Sequence, residues 1–136
     1  MKHLSSYKNF GKFVAAGITL AILSIISTPS IACTGGTNTG TITMTGAWQT
    51  QSVINGQYYE FLGEVGEVYY FSFCGNGGSA TWDTQLSILN SGGSQVAYND
   101  DWCGLQSYLA WTCTATGTYR ILISRYYCNN AGGSSG

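Results

Sequence analysis

Four oxygen-bearing side chains stand where they could hold a hard cation. Asp83 opens one β-prone run, and Asn99, Asp100 and Asp101 follow the end of the next without a gap. Calcium takes six to eight oxygens at roughly 2.3–2.6 Å, drawn from carboxylates, Asn side chains and main-chain carbonyls. A turn of consecutive Asx residues offers several of these once Asp83 folds nearby. The same residue types also cap turns by bonding their own backbone, and spacing leaves both readings open. Glu60, Glu64 and Glu67 form a further acidic group, read as solvated charges along a hairpin that discourage edge-to-edge pairing.

The five cysteines suggest two bridges and one spare thiol in an exported chain. Cys33 and Cys128 bracket the domain and would staple its ends. Cys74 and Cys103 each sit in a Gly-rich turn beside a β-prone run, which suits a loop-to-loop bridge. Cys113 shares an apolar face with Leu109 and Trp111 and is read as a buried, inert thiol. A catalytic thiolate needs a base or a cationic neighbour. Beyond residue 32 the chain has neither His nor Lys. Ser-His-Asp and Cys-His catalysis and His-ligated zinc are closed on that ground, and no spacing singles out a glycosidase pair of carboxylates. The expectation is a protein that is not an enzyme.

An address precedes the domain. Lys2, Lys8 and Lys12 lie ahead of an apolar run over residues 13–26, followed by Ser30 and Ala32, small residues at the positions a signal peptidase reads. The run falls short of the ~20 residues a membrane span requires. Residues 1–32 are therefore expected to be a signal-peptide helix, cleaved near Ala32 to give a secreted or surface-held bacterial protein. Cys33 would then lead the mature chain; Ser30 stands where a lipoprotein usually has Leu, so lipidation is the lesser reading. The exported part keeps two arginines against six acids, a formal charge of −4. That balance argues against nucleic acid as a partner.

These residues need a scaffold. Turn residues such as Asn55-Gly56, the 74–78 cluster and Asn90 to Gly93 recur at short intervals, separating runs rich in Thr, Val, Ile, Tyr and Phe. Strands are expected over 41–45, 48–53, 58–62, 67–73, 84–89, 95–98, 107–112 and 118–124. With no helical pattern among them, the fold class is an all-β antiparallel sandwich of about eight strands. Period-two alternation puts Tyr69, Phe71, Phe73, Leu86, Ile88, Leu109, Trp111, Cys113, Tyr119, Ile121 and Ile123 in its core. The doublets Tyr58-Tyr59 and Tyr126-Tyr127 should each turn one ring in and one out. Residues 33–40 read as a flexible leader to a domain over 41–128, and 129–136 as a loose tail or linker.

The stretch from Trp82 to Trp111 carries an Asp83-Thr84 strand opening, a Gly93 turn, Asn99-Asp100-Asp101, Ser107 and then Gly117-Thr118-Tyr119 before the last apolar strand. This ordered series, with Gly56 to Phe61 and Glu67 to Phe71 upstream, resembles the bacterial pre-peptidase C-terminal (PPC) domain over roughly Thr41 to Cys128. The resemblance implies a jelly-roll-like sandwich that sits beside secreted peptidases or in surface proteins without catalysing anything itself. Related collagen-binding modules use calcium and an aromatic surface. Two functions are expected, the second from the low charge and the many Tyr and Thr of the exported part rather than from the resemblance. One is an extracellular binding module for a protein or glycan, using Trp102, Tyr98 and Tyr126 around the acidic turn, with Asp83, Asn99, Asp100 and Asp101 as metal ligands. The other is a structural subunit that self-associates by strand addition into a fibre or surface layer.

Overall fold

Alternating Tyr, Phe, Leu and Ile become strands because each places every second side chain on one face. The computed structural model describes residues 2–9 and 32–129. The apolar run expected in the leader and residues 130–136 of the tail lie outside that range. Among the described residues nine strands run in chain order: β1 His3–Asn9, β2 Thr37–Thr41, β3 Gln49–Ser52, β4 Gln57–Gly63, β5 Val68–Ser72, β6 Thr84–Leu89, β7 Gln95–Asn99, β8 Tyr108–Thr112 and β9 Gly117–Arg125. They form a four-stranded sheet in the order β3-β1-β5-β8 and a five-stranded sheet in the order β2-β4-β9-β6-β7. Every pair of consecutive strands lies in different sheets except β6 and β7, which are neighbours in the five-stranded one.

One core lies between the sheets. Phe61, Tyr69, Phe71, Leu86, Ile88, Ile121 and Ile123 are fully buried there with Leu4, while Trp111 packs edge-on against Tyr119 at 4.7 Å between ring centres. Fully burying each such side chain stabilises the fold by roughly 1.5–3 kcal/mol. All the core residues expected from alternation are buried. A second, smaller cluster of Leu89, Leu122 and the Cys33–Cys128 bridge covers the outer face of the five-stranded sheet. Cys74 is joined to Cys103, and Cys113 is a buried free thiol. The two disulfides point to an oxidising environment.

Four expectations need correction. The strand expected over 41–45 is found instead at Thr37–Thr41, and it runs parallel to β4, so the five-stranded sheet is mixed. All five β2 residues are exposed, so its edge pairing leaves no hydrophobic period to read. Lys2 to Asn9, placed in the leader, are not helical where described, for β1 pairs antiparallel with both β3 and β5. Glu60, Glu64 and Glu67 do not share a hairpin, because β4 and β5 belong to different sheets; Glu60 faces Arg120 and Glu64 holds Lys8. Tyr126 and Tyr127 are both exposed, since they form a short 3-10 turn after β9 rather than a strand.

Candidate binding surface

One end of the sandwich gathers the residues singled out above. Thr84 at the start of β6 pairs with Arg125 at the end of β9, so the entry to β6 and the exit from β9 lie side by side. The β7–β8 connection returns to the same place, with the Thr84 N–H donating to Leu105 O at 2.9 Å. A buried hydroxyl pair locks it. The Ser107 N–H donates to Thr84 Oγ1 at 2.7 Å, and Ser107 Oγ lies 2.6 Å from Thr84 O and 2.9 Å from Asp100 O. Both hydroxyl residues are fully buried, and burial is tolerated because each polar atom finds a partner.

Within that connection, Cys103 and Gln106 close a tight turn in which Gly104 takes φ +71°, a left-handed conformation that suits glycine. The turn pushes Trp102 and Leu105 outward, to 68% and 57% exposure, while the bridge to Cys74 ties it to the other sheet. Trp102 packs on Tyr108 at 5.6 Å between ring centres, and Tyr108 on Tyr70 at 6.2 Å. The row continues across the outer face of the four-stranded sheet through Tyr7 to Trp48, at 5.4 and 5.5 Å. Sequence reading missed this row, because Tyr70 and Tyr108 lie far apart in the chain and meet only through the β5–β8 register.

The acidic turn flanks the row. The Asn99 side-chain oxygen accepts from the Tyr108 N–H at 3.0 Å, and Asp100 Oδ1 accepts from the Asp101 N–H at 3.0 Å. The Tyr98 hydroxyl donates to the other Asp100 oxygen. Burial, then that hydrogen bond and the charges of Asp100 and Asp101, hold the Tyr98 phenol well above its ordinary pKa. Asp83 is nearby in electrostatic terms: burial first, then the charges of Asp101 and Asp100, raise its carboxyl above the usual value, and its Oδ1 is buried without a partner. Asn99 and Asp100 thus act as turn caps. Among the described residues no three His, Cys, Asp or Glu side chains are grouped to hold a metal ion.

The expected surface residues divide. Trp102 and Tyr126 are exposed, the latter edge-on to Tyr127 at 4.3 Å, whereas Tyr98 is half-buried with its hydroxyl engaged. Trp82 is half-buried against Phe73, with Lys2 and Arg125 over its ring at 4.2 and 5.7 Å. Tyr127 and Cys128 sit at φ +59° and +53°, left-handed positions held by the bridge to Cys33 and by the Gln85 side-chain oxygen, which accepts from the Cys128 N–H at 2.9 Å. Among the described residues no helix is long and apolar enough to cross a membrane.

These features define a disulfide-stapled, all-β sandwich with an aromatic and acidic surface at one end. The chain belongs to the family described as a domain of unknown function (DUF8695), whose model matches residues 48–136. No curated protein and no solved structure matches it.

Proposed function

We propose that this protein is an exported, non-catalytic binding module whose contact surface is the row Trp102, Tyr108 and Tyr70 with the Asp100-Asp101 turn at its side. The ligand is an extracellular glycan or protein segment offering flat apolar faces and hydroxyl or amino groups. The observation that carries this reading is Trp102, a large exposed ring on a loop fixed by a disulfide and by the Thr84–Ser107 lock. An aromatic held in place gives contact area with little ordering cost on binding. Ring faces stack on sugar or apolar surfaces, and neighbouring carboxylates accept from hydroxyl or ammonium donors.

The lack of His beyond residue 32 and the burial of Cys113 support a role without catalysis. The PPC resemblance supports an accessory role beside other exported proteins. The acidic turn serves as the polar rim of the surface, with Asn99 and Asp100 already capping backbone groups.

Retention of the exported protein on insoluble cell-wall and polysaccharide matrices tests this reading. Wild-type protein is expected to be retained and to show a shifted Trp emission. Trp102→Ala and Tyr108→Ala should each weaken retention on the order of 10-fold or more, as truncation of a central aromatic does, while melting as wild type. Equal retention of wild type and both variants, on every matrix and on partner proteins drawn from the same secretion medium, would remove the surface from consideration. Calcium should leave the melting temperature unchanged within about 1 °C, since a ligand stabilises only where it binds the folded state.

A further inference from the structure

We propose that the place held by β1 is the seat of a second strand, residues 41–45, and that the chain exchanges one for the other when its leader is removed. The two walls of this place, β3 and β5, lie inside the family match, which begins at Trp48, whereas β1 lies far outside it. β1 also belongs to the segment whose basic start, apolar run and small-residue end read as a signal peptide. Cleavage after Ala32 would leave β3 without its partner strand and uncover the edge of β5.

β1 fills the slot with ill-matched chemistry. Its inward residues are Leu4, Ser6 and Lys8. Only Leu4 is apolar. Ser6 Oγ is buried with no hydrogen-bond partner, and the buried Lys8 ammonium relies on Glu64. An unmatched buried hydroxyl and a charge taken from water both weigh against a strand in a core.

Residues 41–45, Thr-Ile-Thr-Met-Thr, fit the same place better. They precede Gly46-Ala47 and then Trp48 and β3. Two β-prone runs joined by two residues, glycine first, form a hairpin with a type II′ turn. Closing it sets Thr45 opposite Trp48, Thr43 opposite Thr50 and Ile42 opposite Gln51. In the structure Gln51 faces Leu4, Thr50 faces Ser5 and Gln49 faces Ser6. Ile42 therefore takes the place of Leu4, Met44 that of the unpartnered Ser6, and Thr43 that of Ser5, whose hydroxyl bonds Asn76 O at 3.1 Å. Both apolar residues face inward, and the turn falls where Lys8 was. Strand direction is preserved, because β1 and the hairpin arm both run antiparallel to β3 and β5.

The chain can reach. Cys33 is anchored to Cys128, and Asn129 next to it accepts from Asn55 just beyond β3, at 2.8 Å. At about 3.3 Å per residue the stretch 33–41 spans over 20 Å, against about 10 Å between stacked sheets. The exchange releases β2, whose side chains are all exposed, from β4, and it carries Ile42, now buried in the main core with its N–H on Glu60 O, and Met44 beside it to their new places, so the apolar burial of this pair is moved rather than added.

The inference rests on leader removal, which the intact mass of exported protein reports independently. Hydrogen exchange then compares that protein with the unprocessed full chain, oxidised in vitro. In the full chain the amides of β1 should be slow and those of residues 43–45 fast. In the exported chain residues 43–45 should gain at least ~100-fold protection and residues 37–41 lose theirs. Thr43→Pro removes a ladder donor only in the exchanged form, so it should lower the melting temperature of the exported chain by on the order of 10 °C and that of the full chain by less than about 2 °C. Slow exchange at 37–41 with fast exchange at 43–45 in the exported chain would overturn the proposal. So would an exported chain that keeps residues 1–32, or a dimer in which a second copy supplies the protected strand.

Discussion

The centre of the five-stranded sheet and the centre of the four-stranded sheet are built on different terms. In β6 and β9 the register is unbroken over six residue pairs, and all six β6 residues are buried. Of the three polar residues there, Thr84 and Gln85 are partnered, through Ser107 and Cys128, while Ser87 Oγ is buried without a partner. Apolar cover comes from both sides, since the main core lies on one face and the Cys33–Cys128 cluster on the other. In β1 the register is as regular and one buried hydroxyl, Ser6, likewise lacks a partner, but there the core side also encloses a lysine, held by Glu64. Good backbone pairing alone therefore does not mark a strand as belonging where it lies; the match of inward side chains does.

The comparison can be tested by perturbing each centre in turn. Reducing the Cys33–Cys128 bridge, or replacing both residues by serine, should have the largest effect. The closed loop spans 95 residues, for which chain-entropy arguments give about 4–5 kcal/mol, with less delivered in practice; chemical denaturation measures it. Ile121→Ala, in the middle of β9, should cost about 3 kcal/mol in the full and the exported chain alike. A loss confined to one form would mean that the two centres are not independent. Leu4→Ala should cost about 2–3 kcal/mol in the full chain and leave the exported protein untouched, so any effect of that change on exported material would show β1 retained. Ser107→Ala should destabilise by about 1–3 kcal/mol through the orphaned Thr84 groups and loosen the Trp102 loop, seen as a change in Trp102 quenching.

The smallest effect is electrostatic. Asp83 binds its proton more tightly folded than unfolded, because burial and then the charges of Asp101 and Asp100 raise its pKa. Its contribution is fully present below the ordinary Asp pKa and is lost as pH rises through the raised value. Asp83→Asn should therefore flatten the stability profile between mildly acid pH and neutrality without changing it at the acid end, as paired thermal melts would show.

Much of the sandwich was legible in the sequence, because its core strands bury one face and so carry a period of two, as in Leu86, Ile88, Ile121 and Ile123. The two disulfides join the pairs expected from their places at the chain ends and in glycine-rich turns. β2 was not legible, since an exposed edge strand held by backbone bonds imposes no pattern on its side chains. β1 was hidden for another reason: Lys8, one of the lysines that read as a leader, pairs in the sheet. At the candidate surface, Trp102 could be foreseen from its place beside the acidic turn. Its support could not, because Tyr108 and Tyr70 are brought under it by cross-strand neighbours distant in sequence.

The fifth cysteine has a practical consequence. Cys113 is 1% exposed, beneath the Tyr119 ring and against Gly63, where even a methyl group would collide with both. An odd thiol in a disulfide-bearing chain is ordinarily a source of scrambled isomers and cross-linked aggregates. Sealed here, it stays silent toward alkylating reagents until the molecule opens, so its rate of labelling counts global opening events without any added probe.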